Sequence, residues 1–247
     1  MGRDARGLGG AWVKHQRHAF PGPSADLEPY VARYWVVSWE YDEPYRQLIV
    51  PYPNVHLTFQ GGRATVNGVA SGHQVKVLDG HGGVLGVAFR PGVFRPFLGA
   101  SVSTITDRVV DAAEIFPGAL PGEPDVPEVE AFLRAHLPEP DARAQHAAEV
   151  VDKIIAEPGI TRVDALAREL GVSVRALQRM FSEHVGIGPK WVIRRYRLRE
   201  VTERLAGGEP IDWAVLAADL GYSDQAHFVR DFRAMFGEPP TRYAQRY

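Results

Sequence analysis

The chain has 247 residues, of which 45% are hydrophobic and 23% are charged, and its net charge at pH 7 is -2. This composition predicts a soluble globular protein of one large or two ordinary domains, and it excludes a disordered or fibrous chain. The absence of cysteine excludes disulfides, thiolate metal sites and cysteine nucleophiles. No apolar run approaches the roughly 20 residues of a membrane-spanning helix. Residues 1–20 also lack the apolar core of a signal peptide, so a cytoplasmic protein is expected.

Residues from about 30 to 90 carry short runs of β-branched and aromatic residues, separated by turns that contain glycine or proline. The runs cover residues 34–37, 47–50, 55–59 and 84–89, and turns are expected at 52–54, 61–62 and 80–83. Short strands at this spacing predict an antiparallel sheet or a small barrel. After residue 92 the pattern changes to short helices. One of these is expected from Pro127 to His136, with proline at the favoured first position.

Pro138-Glu139-Pro140 marks the expected domain boundary, because paired prolines end helices and stiffen a linker. Residues 1–137 are therefore predicted to form a β-rich domain and residues 138–247 a helical domain. Helices are predicted near residues 142–156, 163–170, 174–184, 189–206, 212–220, 225–236 and 240–246. A sheet followed by helices, without alternation, predicts the α+β class with two segregated units rather than one doubly wound domain.

The helical half contains one pattern twice, about 50 residues apart. The first copy reads Ala167-x-x-x-Gly171, Leu177, Arg179-x-Phe181, Gly186 and Pro189, and the second reads Ala217-x-x-x-Gly221, Phe228, Arg230-x-Phe232, Gly237 and Pro240. A helix-turn-helix needs a small residue where its helices cross and a glycine at the turn between them. The repeat thus predicts two helix-turn-helix units, at about 160–186 and 211–237, joined by a helix over 189–206. Two such units in one chain indicate a protein that binds duplex DNA.

The second helix of each unit is predicted to bury one face and to present the other to DNA. Spacings of three and four place Val174, Leu177, Met180 and Phe181 in one core, and Phe228, Phe232 and Phe236 in the other. Ser173 is the expected cap of the first of these helices, and Asp224 or Ser223 that of the second. Base edges and phosphates require long hydrogen-bond donors on the outward faces. The predicted outward residues are Arg175, Gln178, Arg179 and Ser182 in the first unit, and Gln225, Ala226, His227, Val229, Arg230 and Arg233 in the second.

The distribution of charge gives a mixed indication. Residues 141–247 hold 16 basic and 15 acidic residues, so the helical half is not broadly basic, which counts against nucleic acid. A local basic run without acids is present nonetheless. It is either a surface for DNA or a solvated helix face, and Arg197 is a candidate for pairing with an acid between the two units. The run consists of Lys190, Arg194, Arg195, Arg197 and Arg199.

The stretch from Gly221 to Phe232, closed by residues 236–243, resembles the signature of AraC/XylS-type transcription regulators, and residues 166–181 are similar to that family's other motif. The resemblance covers about residues 145–247 and implies a bipartite, seven-helix DNA-binding domain. It implies that the base-contacting positions are Arg175, Gln178 and Arg179, and Gln225, Ala226, His227 and Arg230.

The second copy departs from the family pattern at two positions. Ala226 is too short to hydrogen-bond a base, and Val229 stands where a small hydroxyl residue is common. We therefore expect the first recognition helix to set most of the sequence preference. The second helix is expected to act more as an anchor, through Gln225, His227 and Arg230.

The N-terminal half gives fewer indications. Residues 33–35, 51–57 and 86–92 resemble a domain found on many AraC-like regulators, which implies effector sensing, dimerisation, or both. One aromatic set is either the lining of an apolar ligand pocket or the core of a small sheet: Trp35, Trp39, Tyr41, Tyr45, Tyr52 and Phe59. A metal-binding barrel would use His56, His73 and His81, although no His-x-His pair with a following glutamate is present. His15 and His18 lie in a basic stretch that is expected to be mobile.

These features predict a cytoplasmic transcription regulator, assigned as an activator, that is not an enzyme and needs no cofactor or metal. Its expected partners are double-stranded DNA, a small-molecule effector, RNA polymerase and a second copy of the chain, with no membrane. An effector would alter dimerisation or the freedom of the region near residues 117–145. Two alternatives stay open: a β-barrel enzyme, such as a metal-binding one, fused to a DNA-binding module, and a ligand-independent regulator controlled by its abundance.

Overall fold

The computed structural model describes residues 15–118, 122–207 and 211–245. Its first half contains a six-stranded antiparallel sheet with the strand order β1-β2-β5-β3-β4-β6. The strands are β1 (Gln16–Ala19), β2 (Val31–Ile49), β3 (His56–Gln60), β4 (Arg63–Asn67), β5 (Gln74–Phe89) and β6 (Val109–Asp111). Since β1 and β6 are its two edges, the sheet is open in the described part of the chain, and the prediction of an antiparallel sheet is confirmed.

Strands β2 and β5 are much longer than the apolar runs that predicted them. They pair from Val31 opposite Phe89 to Ile49 opposite Gln74. The predicted turn at 80–83 is wrong, because these residues lie inside β5. Glycine is needed there because indole rings cover the strand: a Cβ on Gly82 would come within 2.3 Å of the Trp39 ring.

Three short strands, β1, β4 and β6, were not predicted. Because β1 contains His18 and pairs with β2, the expectation of a mobile stretch is wrong for the part of it that the structure describes. The predicted turn between β3 and β4 is present, and both of its glycines adopt a positive φ, 57° at Gly61 and 72° at Gly62. Glycine adopts this conformation without the steric cost that a Cβ imposes.

One face of the sheet forms the core of the N-terminal domain. It packs against α1 (Arg95–Leu98), α2 (Val126–Ala135) and two short 3₁₀ turns, Val102–Ile105 and Ala112–Glu114. Helix α2 begins one residue before the predicted start. A reciprocal capping box between Asp125 and Glu128 fixes this start, because each side chain accepts a hydrogen bond from the other residue's backbone N–H.

The second half is helical and follows the predicted helices closely. They are α3 (Ala142–Ala156), α4 (Val163–Glu169), α5 (Val174–Met180), α6 (Pro189–Gly207), α7 (Trp213–Asp219), α8 (Gln225–Phe236) and α9 (Pro240–Ala244). Helices α3 and α8 begin and end where the sequence predicts. Helix α5 is shorter than predicted, because the chain continues as a π-helical turn over Phe181–Val185. Residue 246, the predicted end of the last helix, lies outside the described residues.

Each helix-turn-helix unit has its own apolar core, and α6 contributes to both. The first unit, α4 and α5, buries Leu177 and Phe181 against Val192 of α6. The second unit, α7 and α8, buries its three predicted phenylalanines against residues such as Leu198 of α6. The prediction that Val174 is a core residue is wrong. It is 37% exposed because it is the first residue of α5. In the described part of the chain, no helix is long and apolar enough to cross a membrane.

Candidate nucleic-acid interface

The turn of each unit has the geometry that the repeat predicts. Gly171 and Gly221 adopt positive φ angles of 67° and 70°. Ala167 and Ala217 are each 2% exposed, which is where a small residue lets two helices approach. Both copies of the motif therefore form the same tight connection between a first and a second helix.

The two second helices are capped by side chains of the predicted type. The Ser173 hydroxyl oxygen accepts a hydrogen bond from the backbone N–H of Ala176 at 3.1 Å. In the second unit Asp224 is the cap rather than Ser223, and it accepts from the N–H of His227 at 2.7 Å. This hydrogen bond holds the pKa of the Asp224 carboxyl below its usual range. An ionised cap fixes the first turn of α8, from which Gln225, Ala226 and His227 project.

Most of the predicted contact residues lie on the exposed faces of α5 and α8. Four of them are arginines whose side chains make no hydrogen bond or ion pair among the described residues: Arg175, Arg179, Arg230 and Arg233. Gln178, Gln225 and Ala226 are exposed as well. The two recognition helices therefore present cationic, hydrogen-bond-donating surfaces to solvent.

The arginines of the basic run on α6, in contrast, are bonded to other groups of the chain. Arg194 pairs with Asp231 of α8 at 2.6 Å, and Arg199 pairs with Glu203 of its own helix at 2.6 Å. The expectation that Arg197 pairs with an acid is wrong. Its Nε donates to the Leu220 carbonyl at 2.9 Å, and its guanidinium lies 4.3 Å from the centroid of the Tyr222 ring. Arg197 thus satisfies a backbone carbonyl at the end of α7, one that has no partner inside that helix.

Three predicted residues are less accessible than the others. Ser182 lies in the π-helical turn, half-buried, and its carbonyl accepts a hydrogen bond from the Ser101 hydroxyl of the N-terminal domain at 3.0 Å. Val229 packs against the core of the second unit. His227 is half-buried, with its ring edge-on to that of Tyr222. Their roles in DNA contact stay predictions, as do those of the exposed set.

The aromatic set of the N-terminal domain does not surround one cavity. Phe59 belongs to the core, whereas Trp35 and Trp39 cover glycines on the opposite face of the sheet. Tyr41 and Tyr45 stack on each other 4.9 Å apart on the extended β2 strand. Tyr52 lies beside α6, where the Arg195 guanidinium is 3.8 Å from its ring centroid. The set thus serves four different contacts, and neither of the two predicted interpretations describes all of it.

The three histidines proposed for a metal-binding barrel lie in separate places. His56 accepts a hydrogen bond from the Trp35 indole N–H at 3.2 Å, and His73 lies against Gly237. His81 is opposite Glu40 on the β2–β5 ribbon. Burial and, to a lesser extent, the positive charge of Arg33 lower the pKa of His56 to about 4. Within residues 15–118, 122–207 and 211–245, no group of three His, Asp or Glu side chains is placed to hold a metal ion.

Comparison with known proteins assigns the two halves to two families. Residues 166–246 match a family described as "Helix-turn-helix domain", and residues 20–111 match one described as "Domain of unknown function (DUF6597)". The chain is 38% identical over 82 residues to the HTH-type transcriptional regulator GlxA of Rhizobium meliloti (strain 1021), a match that covers 33% of this chain and 25% of GlxA. It is 32% identical over 75 residues to the HTH-type transcriptional activator RhaS of Pectobacterium atrosepticum, a match that covers 30% of this chain and 26% of RhaS. The matches span about a quarter of the length of these relatives.

Solved structures of ToxT from Vibrio cholerae align with most of the chain at low similarity. One covers 94% of this chain and 98% of ToxT, with 8% identity and a TM-score of 0.44. The alignment with wild-type ToxT bound to unsaturated fatty acid covers 85% of this chain and 94% of the ToxT chain, with 11% identity and a TM-score of 0.42.

The doubled motif, its turn geometry and the matching family define the class of the C-terminal half, which is a DNA-binding domain with two helix-turn-helix units. This domain is of the AraC type, and the chain joins it to an N-terminal DUF6597 domain. The resemblance on which the sequence predictions rested is confirmed.

Proposed function

We propose that the chain is a sequence-specific transcription regulator that binds double-stranded DNA through α5 and α8. The observation that carries this proposal is the set of four arginines on the exposed faces of those helices whose side chains make no hydrogen bond or ion pair among the described residues: Arg175, Arg179, Arg230 and Arg233. A guanidinium group can donate two hydrogen bonds to guanine or bind a phosphate. The nearby arginines of α6 are bound within the chain, so they are not available for these contacts.

The length of the linker helix is close to the spacing of successive major-groove segments on DNA. Helix α6 has 19 residues, which corresponds to about 28 Å at ~1.5 Å per residue. Successive major-groove segments on one side of B-DNA are about 34 Å apart. One chain therefore places α5 and α8 in adjacent segments, and its operator has two contact regions about one helical turn apart.

The N-terminal domain supplies regulation in this proposal, by sensing a small-molecule effector or by pairing with a second copy of the chain. The relatives with matching C-terminal domains are named as a transcriptional regulator and a transcriptional activator. We extend that role to this chain as a non-catalytic activator that acts in the cytoplasm, where it would bind DNA and contact RNA polymerase. No step in this function requires a metal or a cofactor.

A gel-shift titration tests the proposal, with a DNA duplex selected by the wild-type protein from a random-sequence library. Arg179→Ala and Arg230→Ala should each weaken specific binding by about 1–3 kcal/mol. Arg199→Ala is the matched control: it removes one arginine from the same domain, but one that pairs with Glu203 on its own helix. Wild-type affinity in both recognition-helix variants would contradict the assignment.

A further inference from the structure

The N-terminal domain holds the first helix-turn-helix unit through a tightly packed contact. Val102 is fully buried and lies against Gly186, which ends the π-helical turn. The Thr106 hydroxyl donates to the Gly186 carbonyl at 2.6 Å. On α3, the backbone of Ala148 lies so close to Gly92 that an added Cβ would come within 2.5 Å of its nitrogen. Buried apolar atoms and satisfied hydrogen bonds leave this contact little freedom to change.

The contact with the second unit is of another kind, because a buried cation lies at its centre. Arg195 of α6 is 1% exposed, and its guanidinium lies between the rings of Tyr52, at 3.8 Å, and Phe236, at 5.6 Å. Its Nε donates to the Pro51 carbonyl at 2.6 Å. Its Nη1 is buried without a hydrogen-bond partner, and no carboxylate pairs with Arg195 among the described residues.

Leu48 and Val50 of the N-terminal domain also pack against the core of the second unit, so the buried cation is the costly part of this contact. Burying a guanidinium without a carboxylate costs free energy, and an unmade hydrogen bond adds to that cost. Two aromatic rings and one carbonyl offset only part of it. Once the contact opens, water can solvate Arg195, so its Nη1 gains the hydrogen bonds that it lacks in the closed state. The Arg195–Tyr52 contact is therefore the part of this interface that gains most in solvation when it opens.

Arg195 also stands at the point where α6 passes from one unit to the other. Val192 and Ile193 belong to the core of the first unit, and Leu198 and Val201 belong to that of the second. Arg195 therefore lies between the parts of α6 that carry the two units, and the first unit has its own hydrogen bonds with the N-terminal domain.

We propose that Arg195 is a positioning residue for DNA recognition. Through Tyr52 and the Pro51 carbonyl, the N-terminal domain holds the second recognition helix at a set distance from the first. Release of this contact leaves the first unit attached and frees the second, which widens the range of half-site spacings that the chain accepts. This deepens the proposed function by naming how the N-terminal domain acts on the DNA-binding domain.

Distance measurements between spin labels test the positioning role without DNA. The chain has no cysteine, so labels can be attached to Val109→Cys in the N-terminal domain and to a second cysteine in either unit. Val172→Cys reports on the first unit and Val215→Cys on the second, and all three positions are exposed. Arg195→Ala should broaden or shift the Val109–Val215 distance distribution and leave the Val109–Val172 distribution unchanged. Arg199→Ala, one turn away, should change neither distribution.

Tyr52→Ala removes the same contact from the N-terminal side and serves if Arg195→Ala does not fold. Folded Tyr52→Ala protein should give the same selective broadening. The proposal fails if both distributions keep their wild-type form in these variants, or if both broaden equally.

A binding measurement then connects the contact to DNA. Inserting two base pairs between the half-sites of the selected duplex displaces them by about 7 Å. The wild type should lose more affinity on this insertion than Tyr52→Ala does, and equal losses would overturn the link to spacing. Should the wild type bind no duplex, the proposed function fails, whereas the label distances still decide whether Arg195 positions the second unit.

Discussion

The two helix-turn-helix units share one sequence pattern, yet they meet the N-terminal domain differently. Gly186 and Gly237 occupy the same repeat position, and both adopt a positive φ at the end of a recognition segment. A Cβ on Gly186 would meet the buried side chain and the carbonyl of Val102, at 2.9 and 3.3 Å. The atoms nearest to a Cβ on Gly237 are those of the ring of His73, at 2.7–3.0 Å, and His73 is exposed. A repeat thus reports the internal structure that its copies share, while the contacts of each copy with the rest of the chain can differ.

The recognition segments themselves also differ. Helix α8 is regular over 12 residues. The first unit instead changes from α-helix to a π-helical turn at Phe181, and its Ser182 carbonyl is bonded by Ser101. Such turns are frequent at functional sites. In this chain the turn adapts the first unit to the N-terminal domain, whereas the second unit keeps the regular form.

The largest expected effect comes from breaking the packed contact of the first unit. Gly92→Ala combines a positive φ of 99° with a collision against the backbone of Ala148. We expect it to lower the free energy of unfolding by about 2–5 kcal/mol. Gly99→Ala is the control, since Gly99 has a φ of 68° and nothing within 4 Å of an added Cβ. Its cost should be about 1–2 kcal/mol in urea denaturation, and equal costs would show that the α3 contact is not tight.

The repeat position gives a smaller and more direct comparison of the two units. Gly186→Ala should cost about 2–3 kcal/mol, because Val102 is fully buried and has little room to move. Gly237→Ala should cost only about 1–2 kcal/mol, the strain of its positive φ, because the His73 ring can swing into solvent. Thermal unfolding of both variants measures the difference. If Gly237→Ala proves the more costly, the second unit is held more rigidly than the structure indicates.

The smallest effect concerns His56, which lies near Arg33 on the side of the sheet towards Tyr52. Burial lowers its pKa to about 4 from 6.5, so the unfolded chain binds the proton more readily. The stability due to neutral His56 is present above pH 6.5 and is lost as the pH falls towards 4. We expect a loss of about 1–3 kcal/mol over that range.

His56→Asn tests this dependence, because its amide oxygen can still accept the Trp35 hydrogen bond. The difference in unfolding free energy between the wild type and this variant should shrink as the pH falls from 6.5 to 4. Burial also lowers the pKa of His184, but that group is present in both proteins and cancels in the difference. A difference that does not change with pH would mean that the fold does not lower the pKa of His56.

Local features of the sequence predicted local structure well. Helices α3 and α8 were predicted to the residue, because apolar periodicity and a capping aspartate, Asp141 or Asp224, define them within a few residues. The exposed faces of the recognition helices followed from the same periodicity. The one failure in the core sets, Val174, lies at a helix end, where one face has no neighbour to cover it.

Features that depend on distant partners could not be predicted. The sequence around Gly82 predicts a turn, whereas the structure places Gly82 in a strand, covered by Trp39 of the neighbouring strand. In the sequence Arg195 is one member of a basic run, and its burial could not be predicted because its partner Pro51 lies 144 residues away. The π-helical segment likewise accepts hydrogen bonds from Ser101 and Thr106, which lie 81 and 80 residues before their partners in the chain. The sequence could thus indicate which faces of the recognition helices are exposed, but not how the N-terminal domain holds the two units.

A random-library DNA selection with the wild type, Arg179→Ala and Arg230→Ala tests most directly whether the two recognition helices bind DNA together. The wild type should select two clusters of preferred bases about 10 base pairs apart, the more stringent one belonging to the first unit. Arg179→Ala should erase the preference in that cluster, and Arg230→Ala should weaken only the other. A single cluster, or two clusters that neither variant changes, would contradict the claim that the two recognition helices bind DNA together.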